Sequence, residues 1–181
     1  MPTAIIQARM GATRFPNKML LNFHGYPIIE WVYRRVLQSK MLDGIIFAIP
    51  DTDEDDLLQW FLESIGAKVF RGSETDLVDR YYKVAKSFFV KDIVRICADN
   101  PLICASEIDR LIVYFNQNNC DYAYNHIPRN NSYPDGLGAE ICNINLLEEI
   151  YTKASEPDHR EHLFNYVWDN SNQYSIQTFN T

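Results

Sequence analysis

The sequence has 181 residues, 46% of them hydrophobic and 23% charged, and a formal net charge of −7. That length supports one domain with a substantial core, and the acidic balance argues against a general polyanion surface such as a nucleic-acid groove. No apolar run approaches the ~20 residues of a bilayer span, no signal-peptide pattern opens the chain, and Cys97, Cys104, Cys120 and Cys142 form no CxxC pair, so reduced thiols in a cytoplasmic protein are expected.

In chain order, residues 3–8 (TAIIQA) predict a short buried strand. Residues 27–40 place apolar side chains at 28, 29, 32, 33, 36 and 37, which is helical spacing, with proline at the first turn. Residues 44–50 predict a second buried strand. A helix over 51–66 follows, acidic in its first turn and closed by Gly66. Residues 67–72 predict a third strand. Ser73, with Asp76 three residues on, predicts a cap for the next helix. Residues 92–99 predict a fourth strand, and Ser106 opens another helix. Strands alternating with helices imply parallel βαβ units, and continuous Val/Ile strands fit a sheet covered on both faces. After Asn119 the rhythm changes: short strands at 120–125 and 139–144 flank a loop, two short helices cover 145–153 and 158–169, and residues 173–179 predict a closing strand. There is no internal repeat and no low-complexity linker. The expectation is a single α/β domain over 1–181, with residues 120–160 as an arm.

The turn that leaves the first strand, ARMGATRFPNK, concentrates Arg9, Arg14 and Lys18 on an otherwise acidic protein. In an open α/β sheet, ligands bind beyond the carboxyl ends of the strands. Gly11 permits close backbone approach, exposed N–H groups can meet phosphate oxygens, Thr13 can donate its hydroxyl, and arginine matches phosphate with a two-pronged fork. The spacing is neither GxGxxG nor GxxxxGK[ST], so by itself it fits a small anionic ligand or an ordinary solvated basic turn equally well. Asp99 in CADNP is placed either to bind Mg²⁺ beside a triphosphate or to cap the Asn-Pro turn.

The segments IIQARMGATRFPNKML and PIIEWVYRRV resemble the start of the cytidylyltransferases that activate sugar acids such as 3-deoxy-manno-octulosonate and the nonulosonates. VFRGSETDLVDRYY, IVRICADNPLI, YPDGLGAEI and REHLFNYVWDN agree in the same order, so the resemblance covers nearly the whole chain. It is strongest to the SpsF-like branch of spore coat polysaccharide biosynthesis. It implies a Rossmann-like, GT-A-like nucleotidyltransferase fold: an αβα sandwich with a mostly parallel sheet and a small β-rich arm that helps pair two subunits. The implied reaction transfers CMP from CTP to a sugar or sugar acid, with Mg²⁺ and release of pyrophosphate.

Carried over residue by residue, the resemblance implies that Arg9, Arg14 and Lys18 hold the triphosphate, with Gly11 and Thr13 shaping the cradle. It implies Asp99 on the metal, Arg71 and Ser73 on the cytosine edge, and Asp135, Glu140 and Arg160 toward the sugar. Ser73 also suits an ordinary helix cap, YPDG an ordinary turn, and Arg95 a structural partner for a carboxylate. Asp79 and Arg80 are expected to pair or cap within their helix. His159 and His162 lack the HExxH order and suit a surface pair. Tyr81, Tyr82, Phe88 and Phe89 are expected in the core. The family carries an acidic residue where this chain has Gly138, and it continues past Thr181 with a further strand and an acidic segment. That difference keeps a second reading in view, a catalytically weak nucleotide-binding module in polysaccharide assembly. A third reading is a nucleotidyltransferase using another base. Neither the sugar nor the choice of cytosine over uracil is written in the sequence.

Overall fold

The computed structural model describes residues 1–11 and 15–181; Thr13 and Arg14 lie outside the described residues. The first strand, β1 (Thr3–Gln7), is buried along nearly its whole length. It leads through a 3₁₀ turn (Lys18–Leu20) into a small antiparallel hairpin, β2 (Asn22–Phe23) with β3 (Tyr26–Pro27). The sequence reading passed over this hairpin. Its signal is His24-Gly25, both at positive φ (48° and 94°), as tight hairpin turns require. Helix α1 (Ile28–Val36) then buries Ile29, Val32 and Val36 on one stripe, a 3.6-residue repeat. It is shorter than the predicted 27–40: Pro27 is used in the hairpin, and past Val36 the chain leaves the helix in a tight turn whose Lys40 and Met41 amides donate to the Asp109 carboxylate.

Strand β4 (Gly44–Pro50) is followed by a 3₁₀ turn (Asp53–Asp55) and α2 (Asp56–Ser64), which buries Leu58 and Leu62. Gly66, at φ +79°, lies just beyond that helix, a usual residue for a helix stop. Strand β5 (Lys68–Gly72) precedes α3 (Leu77–Ser87), whose cap is Asp76 accepting from the Asp79 amide at 2.8 Å. Ser73 caps only the preceding turn, accepting from the Asp76 amide at 3.1 Å. Strand β6 (Asp92–Cys97) and α4 (Ala105–Gln117) follow. Then come β7 (Tyr122–Tyr124), β8 (Glu140–Asn143), α5 (Ile144–Lys153), α6 (Pro157–Glu161), α7 (Asn165–Asp169) and β9 (Ile176–Gln177). The predicted helix over 158–169 is two helices, because the backbone turns extended at His162 and lets Leu163 and Phe164 both enter the core.

Seven strands form one sheet in the order β5-β4-β1-β6-β8-β7-β9. The first four are mutually parallel, whereas β8 runs antiparallel to both β6 and β7. Residues 120–160 therefore place their strands in the central sheet itself, and the departure from it is the loop between β7 and β8. Alternate residues of the buried strands serve two cores. Ala4, Ile6, Phe47 and Val94 pack beneath α1, α2 and α4; Ile5, Ala48, Ile93 and Tyr122 pack beneath α3, α5 and α7. From β1 the chain passes to β4 on one side, while β6 lies on the other. The crevice of such a sheet opens where the order reverses, here beyond the carboxyl ends of β1 and β6.

Candidate active site

A cleft of about 600 Å³ occupies that position. Its floor is the end of β1 (Gln7, Ala8, Arg9) and the end of β6 (Cys97, Ala98, Asp99). Lys18 reaches over it from the 3₁₀ turn, Arg80 and Leu77 face it from α3, and Glu161 and His162 close it from the end of α6. Across the cleft the Lys18 ammonium donates to Asp99 Oδ2 at 3.1 Å. Arg9 is exposed beside them. Three of the residues singled out from sequence, Arg9, Lys18 and Asp99, thus meet in one place.

The acidic cluster after β4 explains how the cationic turn is held. Asp55 is buried, and its carboxylate accepts from the Met10 amide at 2.8 Å and from the Thr52 hydroxyl at 2.7 Å. It anchors the start of the turn to a different part of the sheet. Gly11 sits against Glu54: a Cβ there would lie 2.9 Å from Glu54 Oε2. Gly11 is not among the residues that line the cleft, and the atom nearest a side chain there is the tip of the exposed Glu54.

Several other expected contacts are already committed elsewhere. Arg71 points away from the cleft. Its guanidinium pairs with Asp51 at 2.9 Å and Asp56 at 2.5 Å and donates to Gln59 at 2.9 Å, which ties β5 to the start of α2. Hydrogen bonding to Asp56 raises its pKa above the ordinary arginine value. Arg160 donates to Asp76 at 2.8 Å and to the Tyr151 carbonyl at 2.9 Å, fastening α6 to the cap of α3. It thereby sets the place of its neighbours Glu161 and His162, which do line the cleft. Ser73 lies on the loop that enters the cleft wall through Glu74 and Thr75. Asp135 is exposed on the loop between β7 and β8.

Glu140 is buried beneath the sheet face. It accepts from Arg95, its register partner across β6 and β8, and from the Tyr122 hydroxyl, and His126 Nε2 stands 3.8 Å away. Arg95 Nε also donates to Gln7 Oε1 at 3.0 Å. Burial pushes the Glu140 pKa up, but Arg95, His126 and Tyr122 outweigh it and hold the carboxyl below its ordinary range. Burial pulls His126 down. Because Glu140 is only 4% exposed and fully partnered, a direct sugar contact expected from sequence is replaced by a structural ion pair, which gives Arg95 its carboxylate.

Gly138 has a local cause. A Cβ there would fall 2.1 Å from Asn125 Oδ1 and 2.3 Å from Asn125 O. Asn125 is fully buried, accepts from the Ala139 amide at 2.9 Å and donates to the Glu107 carbonyl at 2.9 Å. No side chain fits at 138 in this arrangement.

Arg80 is the cleft residue that the sequence reading put elsewhere. Asp79 does pair within its helix, with Lys83 at 2.8 Å. Arg80 is 4% exposed, and its guanidinium grips backbone carbonyls, Ser73 at 2.8 Å and Glu74 at 2.9 Å. Burial lowers its pKa from the ordinary arginine value, and among the described residues no carboxylate pairs with it. Gly72 gives it room, since a Cβ there would lie 2.9 Å from Arg80 Cγ. The available signal was an arginine one turn into a helix that starts right after a Gly-Ser loop.

Among the described residues no three His, Cys, Asp or Glu side chains converge as a ready-made metal cage. Asp99 offers a half-exposed carboxylate to the open cleft. That donor set fits Mg²⁺, which is commonly held by one or two carboxylates with phosphate oxygens and water supplying the rest.

Comparison with known proteins gives the family. The family model described as Cytidylyltransferase matches residues 3–180. An uncharacterised protein of Methanocaldococcus jannaschii is 37% identical, covering 95% of this chain and 69% of its own. The spore coat polysaccharide biosynthesis protein SpsF of Bacillus subtilis is 34% identical, over 96% of this chain and 72% of its own. The 3-deoxy-manno-octulosonate cytidylyltransferase of Bdellovibrio bacteriovorus is 36% identical over 61% of this chain and 44% of its own. Among solved structures, a cytidylyltransferase from Leptospira borgpetersenii superposes with a TM-score of 0.91 at 31% identity, covering 100% of this chain and 76% of the other.

Proposed function

The chain belongs to the cytidylyltransferase family, and from that premise we propose that it transfers CMP from CTP to a hydroxyl group of a sugar or sugar acid, for cell-surface polysaccharide synthesis. The acceptor oxygen bonds to the α-phosphorus, the bond from that phosphorus to its β-bridging oxygen breaks, pyrophosphate departs, and the hydroxyl proton passes to water. Such a transfer is driven by positioning and charge neutralisation rather than by covalent chemistry of the protein.

The observation that carries the reading is the convergence of Arg9, Lys18, Arg80 and Asp99 on one cleft at the reversal of strand order. Arg9 and Lys18 would hold the triphosphate, joined by Arg14 and Thr13 of the same turn. Lys18 offsets the charge that grows on departing pyrophosphate. Asp99 would hold Mg²⁺, which when bound supplies further neutralisation of the phosphates. The base would lie against the loop of residues 73–75, whose backbone Arg80 fixes through two carbonyls. Reading of cytosine would then fall to backbone groups and Thr75, because Arg71 is engaged with Asp51 and Asp56. The names of SpsF and of the octulosonate enzyme support a sugar or sugar acid as acceptor.

A pyrophosphate-release assay over CTP, UTP, ATP and GTP, each with an octulosonate, a nonulosonate and a neutral sugar, tests this. The expected result is release with CTP and one acceptor class, dependent on Mg²⁺ and lowered about 100-fold in Lys18→Ala, the scale of losing one transition-state donor. Release with another nucleotide in preference to CTP, or with none of the pairs, would overturn it.

A further inference from the structure

We propose that the Lys18 ammonium occupies the cation position at Asp99 while the cleft is empty, so that a divalent metal enters together with the nucleotide and not ahead of it. The inference rests on the proposed nucleotidyl transfer and adds an order of binding to it. Lys18 and Asp99 are 81 residues apart in sequence and come together only because the turn after β1 folds over the end of β6. Their contact is 3.1 Å. Among the described residues, neither side chain has another ion-pair or hydrogen-bond partner within reach. A lysine ammonium is a compact point charge on a flexible stem, suited to leaving one anion for another.

One carboxylate is a poor site for a divalent cation, which needs several oxygen ligands. A metal arriving alone must displace the ammonium and gains little else. A metal carried on a triphosphate brings phosphate oxygens for itself and a new anion for Lys18. Each charge then exchanges partners, and none is left unpaired. The pair is open enough for this: its side chains are 27% and 52% exposed, and an ion pair so open to water contributes little to stability. The exchange would also pull the 3₁₀ turn toward the phosphates, since Lys18 is its first residue.

The test is titration of the protein with Mn²⁺ alone, without nucleotide, following the free ion by electron paramagnetic resonance. Lys18→Met is expected to bind Mn²⁺ about three- to tenfold more tightly than the parent, the scale of removing one nearby cation at a half-exposed site. Lys18→Gln should do the same. Lys18→Arg should remain as weak as the parent, and Lys18→Met/Asp99→Asn should lose the gain. Equal Mn²⁺ affinity in Lys18→Met, Lys18→Gln and the parent overturns the proposal, as does a gain that survives in the double variant. The two readings separate cleanly. CTP turnover with no gain in Mn²⁺ affinity removes the exchange and keeps the enzyme; a gain with no turnover on any nucleotide keeps the exchange and removes the enzyme.

Discussion

Strand β6 and the turn just past it carry two ion pairs built to opposite ends. Arg95 and Glu140 are 15% and 5% exposed, sit in register across β6 and β8, and are surrounded by Gln7, Tyr122 and His126. Lys18 and Asp99 are 27% and 52% exposed, and among the described residues each pairs only with the other. Removing one partner of a closed pair strands a charge away from water. Removing one partner of an open pair leaves a charge that water can solvate. The first pair fixes which residue of β8 lies against which residue of β6. The second is free to change partners, which a substrate-binding group must do.

The largest test of that contrast is on stability. Glu140→Ala should cost about 3–5 kcal/mol, because the Arg95 guanidinium is left buried and unpaired, whereas Asp99→Ala should cost no more than ~1 kcal/mol. Urea unfolding of both variants decides it, and comparable losses would erase the distinction between the pairs. Turnover should run the other way: Asp99→Ala folds and fails to release pyrophosphate.

A smaller effect is expected next door at Gly138→Ala. Its new methyl meets Asn125, which is held by Ala139 and Glu107. Overpacking of this kind costs about 1–3 kcal/mol, read as a lower unfolding midpoint. An unchanged midpoint would mean that the loop between β7 and β8 gives way more easily than the closed network suggests. Smaller again is Arg80→Lys on the cleft side. It keeps the charge but loses the fork on the Ser73 and Glu74 carbonyls. With ~1 kcal/mol for such hydrogen bonds, KM for CTP should rise about fivefold with kcat little changed. A fall in kcat at constant KM would place Arg80 on the reacting phosphates instead.

What the sequence made legible follows the same division. The four parallel strands were readable because continuous Val/Ile runs bounded by polar turns have few other uses. That Arg9, Lys18 and Asp99 share a crevice was readable because Arg9 and Asp99 closely follow the ends of β1 and β6 and Lys18 belongs to the segment that leaves β1, where the topology of an open sheet determines what comes together. The commitments of Arg71, Arg160 and Glu140 were not readable. Each depends on a partner far along the chain (Asp51, Asp76 and Arg95), and local pattern does not say whether a charged side chain turns to ligand or to protein. Arg80 failed for the opposite reason. Its place in the first turn of α3 suggested a pair or cap within the helix, but its guanidinium instead reaches back to the Ser73 and Glu74 carbonyls of the preceding loop. The helix over 158–169 is interrupted where His162 turns extended ahead of the buried Leu163 and Phe164, a break that no proline or glycine in the segment marks.

The finest expected effect is the response of the closed pair to acid. The pKa of Glu140 is depressed in the fold, so the unfolded chain binds its proton first. The stability this group contributes is therefore fully present above the ordinary carboxyl value of about 4.3 and is lost as pH falls through the depressed folded value. One such proton changes stability by at most about 1.4 kcal/mol per pH unit. The stability gap between the parent and Glu140→Gln should stay level at neutral pH and narrow below about pH 4.3. His126 has the same sign and begins higher, because burial lowers its pKa and the unfolded imidazole takes up its proton near pH ~6.5. Chemical unfolding from pH 7 to pH 3 should thus show two descending limbs in the parent. His126→Gln should flatten the upper limb and Glu140→Gln the lower one. A parent curve that stays flat down to pH 3 would mean that neither Glu140 nor His126 is shifted by its surroundings in the fold.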